Sequence, residues 1–101
     1  MPDPLRIAVI DSGVHPAHPH IDAARLLPGL AIARDGGDSE ADTGDRLGHG
    51  TAVTAAIQDQ APDALCLPIR VFHDALSTTA RALVAAIDRA VVARVDLINL
   101  S

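Results

Sequence analysis

Asp11 and His49 are the two residues whose types and surroundings suggest chemistry. Four apolar residues, 7–10, run directly into Asp11, which is followed by Ser12 and Gly13. An unbroken run of Ile, Val and Ala is typical of a central parallel strand, and functional residues of open α/β sheets collect just past the carboxyl ends of such strands. Asp, Ser and Gly are also ordinary turn residues. The stretch alone therefore leaves two interpretations open, a structural turn and an active-site aspartate.

His49 lies between two glycines at the start of a segment with helical periodicity. In GHGTAVTAAIQ, residues 48–58, three apolar residues recur at helical spacing: Val53, Ala56 and Ile57. The positive end of a helix dipole disfavours the imidazolium form, which helps a histidine there to stay neutral and accept a proton. Gly48 and Gly50 carry no side chains that would crowd a substrate against the ring. A lone histidine in a glycine-rich turn can also be purely structural.

The combination of the two residues favours a catalytic pair. A buried carboxylate that accepts a hydrogen bond from one imidazole nitrogen fixes the tautomer and leaves the other nitrogen as a general base. Asp11 would lie at a strand end and His49 at a helix start. We therefore expect their side chains within hydrogen-bond distance, ~2.6–3.2 Å.

A second group of histidines offers a different interpretation, a small metal-binding domain. The segment HPAHPH would supply three of its four ligands: His15, His18, His20 and His49. The interleaved prolines and the lack of nearby cysteines disfavour a tetrahedral site.

Residues 34–47, RDGGDSEADTGDRL, are acidic and rich in glycine. The acids are Asp35, Asp38, Glu40, Asp42 and Asp45. Their oxygens do not fall at the alternating spacing of a calcium-binding loop. We therefore expect a solvated surface loop without a metal ion.

The composition excludes several classes of partner. Hydrophobic residues make up 49% of the 101 residues, which is enough for the core of one domain. Phe72 is the only aromatic residue, the net charge is −5 and all eight cations are scattered arginines, so nucleic acid is not an expected partner. No apolar run is long enough to span a membrane, and the cytoplasm is the expected compartment. Cys66, the single cysteine, lies in an apolar run and is expected to be a small buried hydrophobe.

The apolar patterns predict an α/β fold, a parallel sheet with helices on both faces. The strands are expected near residues 6–11, 29–33, 65–71 and 95–100, and the helices near 49–58 and 78–93. The second helix has Ser77 or Thr78 as its expected N-cap. Its expected apolar stripe consists of Ala80, Leu83, Val84, Ile87 and Val91.

Two motifs resemble those of the subtilisin-like serine peptidases, the subtilases. IAVIDSGVHPAHPHI resembles the aspartate segment of this family and GHGTAVTAAI resembles its histidine segment, at a spacing within the range of the family. Further on, QAPDALCLPIRVF and ALVAAIDRAVVARVDLINLS resemble the strand, helix and strand that follow. The resemblance covers nearly the whole chain in the right order. It implies the N-terminal half of a three-layer fold, with the strands in the order second, third, first, fourth and the last strand at an edge.

The resemblance also implies roles for individual residues. Asp11 would orient the imidazole, and His49 would act as base and then as acid. Five residues would shape the active-site turns: Ser12, Gly13, Gly48, Gly50 and Thr51. Ser101 matches the start of the family segment that pairs with the substrate backbone. The implied substrate is a peptide or protein, and no cofactor is implied.

The chain departs from the family pattern in two respects. No segment matches the oxyanion asparagine or the nucleophilic serine, so residues 1–101 are interpreted as the N-terminal portion of a peptidase domain. The linker DQAPDA is short, and His20 stands where relatives often place an acidic calcium ligand, so no calcium site is expected.

These departures lead to an expectation about partners. The chain alone should be inactive, and residues 95–101 should associate either with the missing C-terminal half or with a second copy, because an apolar edge strand offers unpaired backbone groups. The alternative function is a non-catalytic subtilase-like module that binds a peptide or a partner protein.

Overall fold

The computed structural model describes residues 3–39 and 42–101. They form five strands and two α-helices: β1 (Arg6–Asp11), β2 (Leu30–Ile32), β3 (Asp38–Ser39), α1 (His49–Gln60), β4 (Leu65–Arg70), α2 (Ala80–Val92) and β5 (Leu97–Leu100). One turn of 3-10 helix, Ala23–Arg25, precedes β2. Of the acidic loop, Glu40 lies outside the described residues.

The sheet has the order β3-β2-β4-β1-β5. β1 pairs in parallel with β4 and with β5, and β2 pairs in parallel with β4. The four predicted strands thus have the expected order, and the last of them lies at one edge. β3 was not predicted: it is only two residues long and pairs antiparallel with β2 at the other edge.

The two helices cover opposite faces of the sheet, as predicted. Successive residues of a strand point to alternate faces. Ala8 and Ile10 of β1 belong to the buried cluster that includes the α2 alanines. Ile7 lines a groove beside α1, and Asp11 contacts the first residue of α1. β1 therefore carries the hydrophobic core on one side and the candidate chemistry on the other.

The predicted buried face of α2 was only partly right. The fully buried residues are three alanines, Ala82, Ala86 and Ala90, whereas Val84 and Val91 are 58% and 65% exposed. Leu83 and Ile87 of the predicted stripe are partly buried against the core, but Ala80 is exposed. The small alanine side chains form the line of closest approach to the sheet, and the larger residues flank it.

The predicted N-cap of α2 was also wrong. The cap is Thr79, whose hydroxyl accepts a hydrogen bond from the backbone N–H of Ala82 at 3.1 Å and donates to the carbonyl O of Arg34 at 2.6 Å. Thr79 has extended backbone geometry, as an N-cap requires. Ser77 and Thr78 precede the helix, and the hydrogen bond to Arg34 is a contact that local sequence does not reveal.

Helix α1 buries a polar face. Its buried residues are Gly50, Thr51, Thr54 and Gln58. The apolar residues at helical spacing instead line an open groove of about 450 Å³, together with Ile7 and Asn99 of the sheet: Val53, Ala56 and Ile57. In the described part of the chain, neither helix is long and apolar enough to cross a membrane.

Candidate active site

Asp11 is the last residue of β1 and is completely buried. Its Oδ1 accepts a hydrogen bond from the backbone N–H of Ser12 at 2.7 Å. Its carbonyl O accepts from the backbone N–H groups of Val71 and Phe72, which follow β4. A buried carboxylate is costly unless it is paired and hydrogen-bonded, so this position requires a partner from another element.

That partner is His49, the first residue of α1. Its Nδ1 lies 2.8 Å from Oδ1 and 2.9 Å from Oδ2 of Asp11. The predicted contact is therefore present. The carboxylate of Asp11 can only accept, so in the neutral ring Nδ1 carries the proton and Nε2 is left with a lone pair. The side chain of His49 is 43% exposed, whereas that of Asp11 is fully buried. A buried carboxylate that binds one ring nitrogen and leaves the other accessible is the arrangement expected of a general base.

The sequence suggested that the glycines beside His49 leave space for a substrate. The structure shows that glycine is required there by the backbone conformation and by close packing. Gly48 is the N-cap of α1 and has φ 87°, a left-handed conformation that favours glycine. A Cβ at Gly50 would overlap the carbonyl O of Gly13, so Gly50 lets the helix start lie directly against the turn after β1. Gly13 has φ 99°, and a Cβ there would overlap the carbonyl O of Thr43.

Ser12 and Thr51 connect these turns through Asp45. The Ser12 hydroxyl donates to Oδ1 of Asp45 at 2.7 Å and accepts from the backbone N–H of Gly50 at 2.8 Å. The Thr51 hydroxyl donates to Oδ2 of Asp45 at 2.6 Å and accepts from the backbone N–H of His15 at 3.0 Å. Both predicted turn residues therefore lie at the contact between β1 and α1.

Asp45 was not predicted to be a site residue, because its loop was expected to be solvated. The residue is half-buried, and its carboxylate also accepts from the backbone N–H groups of Leu47 and Gly48 at 3.0 and 2.8 Å. Its position four residues before His49 was a usable signal, because acidic residues are favourable near helix N-termini.

Ser101 is not brought into contact with the pair. It follows β5, and since Ile10 pairs with Leu100, Ser101 lies level with Asp11 at the same carboxyl edge of the sheet. The residue is exposed, and its hydroxyl lies 3.5 Å from Oδ1 of Asn99. Its role toward a substrate stays a prediction.

No nucleophile accompanies the pair within residues 3–39 and 42–101. In the described part of the chain, the His49 ring hydrogen-bonds Asp11 and no hydroxyl or thiol. The Ser12 hydroxyl is committed to Asp45. Cys66 is buried in β4, as predicted, and burial raises the pKa of its thiol. A buried thiol with a raised pKa is a poor nucleophile.

The metal-binding interpretation finds no support within residues 3–39 and 42–101, where no group of three His, Cys, Asp or Glu side chains could hold a metal ion. The ring centroids of His15 and His18 are 6.4 Å apart, those of His18 and His20 are 5.3 Å apart, and Nδ1 of His18 accepts from the backbone N–H of His20.

The region around His20 and residues 59–64, where no calcium site was expected, contains a cavity of about 560 Å³ that His20 and Asp59 line. The residues do not fit a calcium ion, which prefers six to eight oxygens. The side chain of His20 offers nitrogen atoms rather than oxygen atoms. Oδ1 of Asp22 already accepts from the backbone N–H of Ala24, and Oε1 of Gln58 from that of Asp22.

A parallel sheet that carries an aspartate–histidine pair at its carboxyl edge is typical of α/β hydrolytic enzymes. The sequence profile of the Subtilase family matches residues 4–101. The chain belongs to the subtilase family, a family of serine peptidases, as the motifs predicted. A comparison with curated proteins found no match.

Proposed function

We propose that this chain supplies the aspartate and the histidine of a subtilisin-type serine endopeptidase. The observation that carries the proposal is the contact of His49 Nδ1 with both carboxylate oxygens of Asp11, at 2.8 and 2.9 Å. Membership of the subtilase family supports the same reaction, hydrolysis of peptide bonds. The serine would come from sequence outside residues 1–101, which we propose to be the N-terminal portion of the peptidase domain.

The hydrogen bonds of the two residues support a role for each in this reaction. Nε2 of His49 would take the proton from the serine hydroxyl as its oxygen attacks the scissile carbonyl carbon, and would then give that proton to the leaving amine. This step leaves the acyl part of the substrate bonded to the serine oxygen. Water would then attack the acyl carbon while Nε2 takes a proton from it, and Nε2 would return that proton to the serine oxygen as the acid leaves. Asp11 would hold the ring in the tautomer that leaves Nε2 free and would stabilise the imidazolium.

The surface of β5 supports an association with a C-terminal half of the peptidase domain. The strand pairs with β1 on one side only, within the described sheet. Its residues Leu97, Ile98 and Leu100 are 55%, 38% and 50% exposed. Since Leu97 pairs with Ile7 and Ile98 with Ala8, these side chains point to both faces. A strand that is apolar on both faces favours an interior position in a sheet. We propose that residues 95–101 bind the C-terminal half, or a second copy of the chain in its absence.

Replacing Ile98 and Leu100 by lysine should therefore weaken association. The wild-type chain is expected to self-associate at micromolar concentration in sedimentation velocity, and the I98K/L100K chain to be monomeric, because charged side chains block pairing at an edge strand. Leu76→Lys is the matched control, since Leu76 is 57% exposed and belongs to the segment before α2 rather than to β5. A wild-type chain that is monomeric and does not bind the complementary half would refute the association.

The function is tested by complementation. The full chain is mixed with the C-terminal half of a subtilase that contains the oxyanion asparagine and the nucleophilic serine, and cleavage of an unstructured peptide is followed. We expect cleavage that a serine-directed phosphonate abolishes, and no cleavage by either piece alone. Cleavage by the chain alone would show that a nucleophile lies within it. A stable complex that does not cleave would instead favour the alternative, a non-catalytic module that binds a peptide or partner.

A further inference from the structure

One carboxylate connects the two segments that carry Asp11 and His49. Oδ1 of Asp45 accepts from the Ser12 hydroxyl, and Oδ2 accepts from the Thr51 hydroxyl and from the Thr51 backbone N–H at 2.9 Å. Ser12 is the neighbour of Asp11, and Thr51 lies in the same helical turn as His49. The bridge therefore spans the strand end and the helix start that must be aligned for the pair to form.

The hydroxyls that Asp45 holds are oriented by it. Each donates to Asp45 and accepts from a backbone N–H, that of Gly50 for Ser12 and that of His15 for Thr51. Without the acceptor at Asp45, both hydroxyls would be free to rotate, and the two bonds that join β1 to α1 would weaken together. Connected hydrogen bonds of this kind strengthen one another.

The loop that carries Asp45 is itself fixed to the sheet. The backbone N–H of Val14 donates to the carbonyl O of Thr43 at 3.0 Å. The buried guanidinium of Arg70, in β4, lies 3.2 Å from a carboxylate oxygen of Asp42. Two contacts therefore fix the segment that carries Asp45 to the rest of the fold. We infer that the position of its carboxylate is well defined.

Asp45 also serves the first turn of α1, whose N-cap, Gly48, has no side chain to offer. Its oxygens accept from the backbone N–H groups of Gly48 and Thr51, which helical bonding leaves without partners. Burial alone would raise the pKa of Asp45, but the hydrogen bonds from Thr51 and Ser12 outweigh it and lower the pKa from 3.8 to about 2. The carboxylate is therefore ionised at every pH at which the peptidase would act.

We propose that Asp45 is a positioning residue, which acts through Ser12 and Thr51 to set the contact between His49 and Asp11. Its carboxylate holds the His49 turn of α1 against the turn after β1, so that Nδ1 meets both oxygens of Asp11. The consequence for catalysis rests on the proposed function, whereas the consequence for the His49 ring does not.

The test measures the ring directly. Nitrogen-15 NMR spectra of the full chain, at a pH that keeps the ring neutral, report which nitrogen of His49 carries the proton. The wild-type ring is expected in the Nδ1–H tautomer, with an Nδ1 proton shifted far downfield by Asp11. In Asp45→Asn, which loses one acceptor oxygen, we expect a mixture of tautomers and loss of the downfield signal to exchange with solvent.

Asp42→Asn is the matched control, because it removes a carboxylate from the same loop and its ion pair with Arg70 but touches neither Ser12 nor Thr51. Its His49 spectrum should equal that of the wild type even if the melting temperature falls. If Asp45→Asn does not fold, Thr51→Val and Thr51→Ser replace it, and only the valine variant should change the ring. A folded Asp45→Asn or Thr51→Val chain with the wild-type His49 spectrum would overturn the proposal.

A second readout uses the complemented enzyme. Asp45→Asn should lower kcat ~10²-fold with little change in KM, because misplacement of a catalytic group costs rate rather than binding. If the wild-type complex is itself inactive, the proposed function fails, and the NMR comparison still decides the role of Asp45.

Discussion

Replacing His49 by alanine is expected to lower kcat/KM of the complemented enzyme ~10⁴-fold or more, because the serine then has no base. The structure supports a large effect. The His49 ring is exposed, and its Nδ1 binds the fully buried carboxylate of Asp11, which leaves Nε2 free to act as the base. Initial rates of peptide cleavage, compared at equal amounts of assembled complex, measure the loss.

The same experiment includes Asp11→Ala and the double variant. Residues that act as one unit are not additive, so the double variant should lose little more than His49→Ala alone. His20→Ala is the control: His20 is exposed, does not touch the pair and belongs to the metal-binding alternative. Loss of activity in His20→Ala with retention in His49→Ala would contradict the assigned roles.

Gly50→Ala is expected to destabilise the fold by about 1–3 kcal/mol, although alanine is favoured over glycine in a helix by about 1 kcal/mol. The added Cβ would overlap the carbonyl O of Gly13 and approach the Ser12 hydroxyl at 3.1 Å. Backbone atoms at this contact cannot rotate away, so α1 must move from the turn after β1. The free energy of unfolding in urea gives the sign and size of the change.

Gly48→Ala separates this contact from backbone strain. Gly48 has φ 87°, but a Cβ there would meet no atom within 4 Å, so only the strain of a left-handed residue applies. We expect a loss of about 1 kcal/mol and an unchanged His49 ring. Gly50→Ala should in addition perturb the ring spectrum. An increase in stability for Gly50→Ala would mean that the helix does not lie against the Gly13 turn.

The sequence alone predicted the parts of the molecule whose signals are local. The unbroken apolar run before Asp11 identified an interior strand, because such runs are typical of strands that are covered on both faces. The helical spacing of Val53, Ala56 and Ile57 identified α1, with His49 at its start. The strand order depended on the resemblance to the subtilases, since hydrophobic patterns do not state which strands pair.

Other features depended on the tertiary structure, for a common physical reason. The face of α2 is decided by how closely the helix approaches the sheet, so the small Ala82, Ala86 and Ala90 are buried while the larger Val84 and Val91 stay exposed. The periodicity of the apolar residues does not indicate how far the helix axis lies from the sheet.

In the candidate active site, too, some features could be predicted from local sequence and others depended on the tertiary structure. The sequence by itself determined that Asp11 would end a buried strand and that His49 would begin a helix, because strand and helix signals lie within a few neighbouring residues. The tertiary structure decided that Asp45 would join them. The hydrogen bond between Ser12 and Asp45 spans 33 residues, and the contact that makes Gly50 necessary spans a similar length of chain. The sequence places Asp45 shortly before a helix start, but it does not show which side chains its carboxylate binds, because these partners come near only when β1 and α1 pack.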